Sequence, residues 1–211
     1  MLLISKCEVE KAIDIIKKGG LACFPTETVF GLGCIASKEE SFLRMVKVKN
    51  RPVDKPFTLM CSSINQALNY IEYDEVVVRL MEKFFPGQLT IITKCKENIQ
   101  KHIDLGTKYI GIRIPDDNFV LDLITKVGEP MLVTSANISS FKPALNDEEA
   151  RYYFNNKVDI IIKGECRSNT PSTIVMYKDK KLTLIREGII KFKELEDFVY
   201  GREKYYSSFR K

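Results

Sequence analysis

Apolar residues recur along this chain with two periods, and the switches between them mark out its elements. Val9, Ala12, Ile13 and Ile16 stand at helical spacing, and Gly19-Gly20 end that helix. Leu21 to Phe24 is a short apolar strand stopped by Pro25, and Met1 to Ser5 reads as a first strand. Ser37 and Glu40 have capping-box spacing ahead of a helix that carries Phe42, Met45 and Val46 on one face. Pro52 disfavours helical geometry at Arg51, so that helix should end near Lys49.

Phe57 to Met60 then predicts a strand, followed by helical stretches near Ile64–Tyr70 and Asp74–Phe84 and a turn at Pro86-Gly87. Leu89 to Thr93 predicts another strand. Tyr109 to Ile114 alternates with Ile110, Ile112 and Ile114 on one face and Tyr109, Gly111 and Arg113 on the other. Asn118 to Val127 should be helical and end at Gly128. Met131–Thr134, Val158–Ile162, Thr173–Met176 and Leu182–Ile185 should be strands. Helices and strands intermingle throughout, which predicts an α/β or α+β sheet covered by helices.

Composition narrows the function classes. The 211 residues suit one large domain, here 1–200, with a basic aromatic tail over 201–211. Net charge is +5, enough to favour anionic ligands but too small to establish nucleic-acid binding. No apolar run approaches the ~20 residues of a membrane helix, so no membrane association is expected. Six scattered cysteines form no CxxC pair and fit reduced thiols in a cytoplasmic protein. The single histidine, His102, has no nucleophile motif nearby, which argues against a hydrolase triad, and no Cys/His cluster suggests zinc.

Five segments could carry chemistry. Pro25-Thr26-Glu27-Thr28-Val29-Phe30-Gly31-Leu32-Gly33 follows a strand directly, offers two hydroxyls and has glycines for close approach; it could equally be a polar turn. Lys49 and Arg51, two apart, would leave one face of an extended segment and could converge on a polyphosphate, or form a solvated basic loop; no Walker motif is present. Arg113, at a strand end, could clamp a carboxylate or make a surface salt bridge. Thr134-Ser135-Ala136-Asn137 could line a site or cap a helix. Ser172-Thr173 and Arg186-Glu187-Gly188 bracket a strand pair and could be hairpin chemistry alone.

In this order, from about Ile13 to Gly188, the five segments resemble the YrdC/YciO family, best known for threonylcarbamoyl-AMP synthases. The resemblance implies a twisted, open mixed sheet with helices on its faces around a large concave basic cavity. It implies that L-threonine, bicarbonate and ATP are converted to threonylcarbamoyl-adenylate and pyrophosphate, for the modification of adenosine 37 in tRNA. By the same resemblance Lys49, Arg51, Ser135 and Asn137 form the catalytic tetrad. Lys49, Arg51, Asn137 and Arg186 would bind ATP; Thr26, Thr58, Arg113, Ser135 and Ser172 would bind threonine. No protein metal site is implied: Mg²⁺ would come with ATP, and Glu27 is the nearest carboxylate to consider as a ligand or base. Possible partners are tRNA and the downstream threonylcarbamoyl transferase complex.

Some segments, Phe57 to Cys61 among them, look more like the YciO branch, and Tyr109 stands where many synthases carry threonine. An adenylate-hydrolysing YciO-like relative is therefore one alternative. An RNA-binding protein without synthase activity, motivated by the basic aromatic tail, is another.

Overall fold

The structure is a computed structural model that describes the backbone of residues 1–207 and side chains through 201. The tail expected over 201–211 therefore lies partly outside the described residues; up to Ser207 its backbone continues the last helix.

Ten strands form one mixed sheet. In chain order they are β1 (Leu2–Ile4), β2 (Ala22–Phe24), β3 (Gly31–Ile35), β4 (Thr58–Met60), β5 (Leu89–Lys94), β6 (Tyr109–Arg113), β7 (Met131–Ser135), β8 (Ile160–Ile162), β9 (Thr173–Lys178) and β10 (Lys181–Arg186). Their order across the sheet is β1-β8-β2-β3-β7-β4-β6-β5-β9-β10. β1 and β2 flank β8 in parallel, and β4 runs parallel to β6, as β5 does to β9. The remaining neighbours are antiparallel, including β3 with β7, where Gly31 faces Ser135.

The helices are α1 (Val9–Lys17), α2 (Glu39–Lys49), α3 (Ile64–Leu68), α4 (Glu75–Phe84), α5 (Lys101–Asp104), α6 (Asn118–Val127), α7 (Asp147–Phe154) and α8 (Phe192–Ser207). Side-chain alternation along the strands divides the core in two. Cys23, Leu32, Leu59, Ile91, Ile112 and Val175 point to one face and pack with α2, α4, α7 and α8. Ala22, Phe24, Met60, Met131, Val133 and Ile160 point to the other and pack with α1 and α6. Those two helices cover only one end of their face. The alternate residues of the remaining strands, Thr58, Thr90, Gly111 and Ile174, line a hollow.

Most sequence-predicted elements are present, with corrections. α2 ends at Lys49, but its capping box does not form: Lys38 holds the N-cap position and Ser37 donates to Glu129 instead (3.0 Å). Asp74 and Asp117 cap α4 and α6 by accepting from the backbone. Gly31-Leu32-Gly33, expected in a ligand loop, begins strand β3. Their missing side chains make room for the Phe24 ring: a Cβ at Gly33 would lie 3.1 Å from Phe24, Met131 and Val133. α5, α7 and α8 were not foreseen.

The β9–β10 hairpin is pinned where the chain leaves it. Thr173 Oγ1 accepts from Gly188 N (2.9 Å) and donates to the Ile190 carbonyl (2.6 Å). A Cβ at Gly188 would stand 2.2 Å from the Pro171 carbonyl oxygen and 2.6 Å from Thr173 N, both rigid backbone. Gly188→Ala should therefore cost about 1–3 kcal/mol of overpacking. Urea unfolding should show a lower midpoint at unchanged slope; an unmoved midpoint would mean the hairpin yields freely.

Candidate active site

Two adjoining hollows lie on the sheet face that α1 and α6 leave open. The first, about 210 Å³, is polar and is lined by Thr26, Thr28, Arg51, Thr58, Arg113, Ser135, Ser172 and Arg186 among others. Its described lining holds three arginines and no Asp or Glu. The second, about 360 Å³, is mainly apolar, with Phe57, Ile92, Tyr109, Ile174, Met176 and Ile185, and shares Arg51, Thr58 and Thr90 with the first.

Arg113 projects from the end of β6 into the floor of the first hollow. Its Nη2 donates to Glu27 Oε1 (2.6 Å) and to Thr28 Oγ1 (3.0 Å). Both ion-pair side chains are below a tenth exposed, at 8% and 3%. Glu27 Oε1 also accepts from Asp116 N (3.0 Å). Glu27, considered as a metal ligand or base, thus spends Oε1 on Arg113 and Asp116 N, keeps Oε2 buried without a hydrogen-bond partner among the described residues, and lines neither hollow. Removing one partner of such a pair leaves a buried, uncompensated charge, at a cost of about 3–5 kcal/mol. Arg113 therefore has one fixed pose. Thr26 Oγ1 donates to the Val29 carbonyl (2.8 Å) and accepts from Thr28 N (3.1 Å), which closes the turn between β2 and β3 over the same floor.

On the opposite wall Arg186 donates to the Ser172 carbonyl from Nε (3.2 Å) and Nη2 (2.8 Å). Burial first, and then repulsion from Arg113, lowers its affinity for a proton. An anion between the two guanidiniums would relieve that repulsion. Ser172 Oγ lies 3.0 Å from Thr90 Oγ1. Thr90 was missed in the sequence, although a buried threonine between Leu89 and Ile91 signals a polar side of β5.

Lys49 and Arg51 do not converge as an extended pair. Lys49 is the last residue of α2, and Asn50 turns the chain through a left-handed conformation (φ 50°). The two side chains therefore part. Arg51 folds over its own loop, donating to the carbonyls of Lys55 (3.2 Å) and Pro56 (3.1 Å), with its guanidinium 5.2 Å from the Phe57 ring centroid. Lys49 turns inward to 1% exposure. Its Nζ donates to the carbonyls of Ser135 (2.6 Å) and Asn137 (2.9 Å) and to Asn137 Oδ1 (3.0 Å). Asn137 also accepts from Ser135 Oγ (2.7 Å). Ser135 alone of these three lines the hollow; Lys49 and Asn137, expected at the nucleotide, stand behind it.

His102 is buried against the Ala36 carbonyl (2.8 Å) and takes no part in the site. Burial pushes the Cys34 and Cys61 thiols up to about 12. No group of three His, Cys, Asp or Glu side chains among the described residues could hold a metal ion.

Burial, reinforced by Arg51, pulls the Lys49 ammonium down to about 7, against three acceptors that favour the charged form. A lysine whose folded value lies below its unfolded value near 10.5 binds fewer protons when folded between those limits. Stability should thus rise with pH there, by at most about 1.4 kcal/mol per pH unit. Urea unfolding of the unaltered protein and Lys49→Met at pH 6, 7, 8 and 9 isolates this slope. The difference should move in favour of the unaltered protein above about pH 7; parallel curves would refute the depressed value.

Comparison with known proteins places the fold in a family. Residues 14–188 match the Sua5/YciO/YrdC family model, described as telomere recombination. The YciO protein of Escherichia coli K12 is 31% identical over 183 residues, covering 86% of this chain and 89% of that one. A Methanocaldococcus jannaschii protein named "Putative threonylcarbamoyl-AMP synthase" is 33% identical over 194 residues, covering 89% and 91%. The crystal structure of P. abyssi Sua5 complexed with L-threonine superposes with a TM-score of 0.89 at 29% identity, covering 94% of this chain and 61% of that one. The chain thus spans about three fifths of Sua5. The chain belongs to the Sua5/YciO/YrdC family.

Proposed function

We propose that the protein is an L-threonylcarbamoyladenylate synthase that makes threonylcarbamoyl-AMP, pyrophosphate and water from L-threonine, bicarbonate and ATP, for the modification of tRNA position 37. The observation that carries this reading is the pose of Arg113 on the floor of a hollow with two further arginines and no acid in its described lining. A floor of this kind suits a carboxylate beside a polyphosphate. The L-threonine complex of P. abyssi Sua5 supports the choice of amino acid.

The chemistry asks for no protein nucleophile. The threonine amine attacks the carbon derived from bicarbonate, and a carbamate oxygen attacks the α-phosphorus as pyrophosphate leaves. The protein's work is to hold three reactants together and to stabilise phosphate charge. Arg113 would take the threonine carboxylate, with Thr26, Thr58 and Ser172 around it. Arg51 and Arg186 would face the phosphates. The apolar second hollow would lie beside the nucleotide. With no three-residue metal-binding cluster among the described side chains, Mg²⁺ would arrive on the phosphates. All six cysteines are free thiols, which suits a cytoplasmic setting, and no described helix is long and apolar enough to cross a membrane.

The similarity to YciO supports a second reading, in which the same site mainly hydrolyses the adenylate. ATP, L-threonine and labelled bicarbonate, followed by chromatography, test the forward reaction; synthetic adenylate without pyrophosphate tests the reverse role. Arg113→Ala should raise the threonine KM roughly 10- to 100-fold, the loss expected for a charge-assisted contact. Arg51→Ala should abolish pyrophosphate release. Full activity in both variants would refute the assignment.

A further inference from the structure

Cations also gather outside the two hollows, at the far end of the same sheet face. Strand register sets them in a row. Lys94 of β5 pairs with Tyr109 of β6, and Lys181 of β10 pairs with Lys178 of β9. Lys94 and Lys178 each stand two residues past the paired Ile92 and Met176, so β5 and β9 are level here. Side chains two apart share a face, and Ile92 and Met176 line the second hollow. The row therefore lies on the open face. Lys178 Nζ reaches across β5 to 5.3 Å from the Tyr109 ring centroid, as this order requires. Four adjacent strands thus carry a tyrosine and three lysines side by side, about 5 Å apart.

Like charges directly opposite one another weaken a sheet. Lys94 alone of the three has an ion pair among the described residues, with Glu72 (2.9 Å). Lys178 and Lys181 are exposed, and neither lines a hollow. Tyr109 belongs to both the row and the second hollow; Lys55 and Arg51 follow in that lining, and Arg186 lies beyond in the first. Positive side chains thus lead from the sheet end to the arginines. The serine that holds Arg186, Ser172, is roughly 20 Å from Lys178 along β9. Charges are screened over about 10 Å at 0.1 M salt, so the row attracts an approaching anion but does not hold one that has reached Arg186. The geometry points to the Lys94, Lys178 and Lys181 row as an electrostatic guide that feeds ATP into the second hollow without belonging to its binding site. This rests on the ATP reading above and adds the route of entry.

A guide touched only in passing lowers the barrier equally in both directions. It changes kon and koff together and leaves Kd alone. Stopped-flow mixing of the full chain with ATP labelled by a fluorescent group on its ribose tests this. At about 0.1 M salt the double variant Lys178→Gln, Lys181→Gln should lower both rate constants about two- to fivefold at an unchanged Kd. At about 1 M salt, where screening shortens to about 3 Å, the two proteins should coincide. The urea midpoint of the variant should be equal or higher, because opposed charges have been removed. A weaker Kd with a faster koff would make the lysines part of the binding site and overturn the inference. So would a lower urea midpoint, or unchanged ATP rates beside weakened, salt-sensitive binding of RNA, which would assign the row to another partner. Failure of the unaltered protein to bind ATP would overturn the functional reading itself, which separates the two failures.

Discussion

The ammonium of Lys49 lies out of water where α2 ends, and the site is arranged around its satisfaction. A charge in that position needs acceptors on every hydrogen. The turn after β7 supplies three, two of them backbone carbonyls that cannot be had without fixing the path of the chain. One lysine thus ties a helix end to a strand end across 86 residues of sequence. Ser139 N completes the seam by donating to the Lys49 carbonyl (2.9 Å).

The floor follows the same rule with a different solution. Arg113 and Glu27 share burial, and the chain on either side is drawn in by the carboxylate, which holds the backbone at Asp116 as well. On the far wall Arg186 rests on backbone oxygen, and no acid among the described residues forms an ion pair with it. Arg113 is thus neutralised by a buried acid, Arg186 rests on backbone oxygen, and Arg51 feels the charge of Asp54 in its own loop.

Much of this was legible in the sequence. The helix ending at Lys49, the alternation of Tyr109 to Ile114 and the strand from Met131, expected to Thr134 and found one residue longer, follow from local periodicity and proline or glycine punctuation. The residues around the hollow were legible only as separated polar interruptions. Their meeting depends on the strand order, which no local pattern encodes. Side-chain direction was the least legible. Lys49 and Arg51 look like a matched pair by spacing, yet one left-handed residue, Asn50, sends them to different partners. Strand β3 was hidden because its glycines resemble a loop, and α7 because only Ala150 and Phe154 of its residues are buried.

Phe24 carries a consequence of another kind. Its ring fills the space left by Gly31 and Gly33, and Gly31 also belongs to the wall of the hollow. The hollow and the packing of α1 and α6 share this sheet face, and they meet at Gly31 beside the Phe24 ring. A change in side-chain volume under α1 or α6 would therefore press on Gly31 and on the lining of the hollow. The shape of the hollow can therefore change through substitutions in the hydrophobic interior while every polar residue around it stays the same.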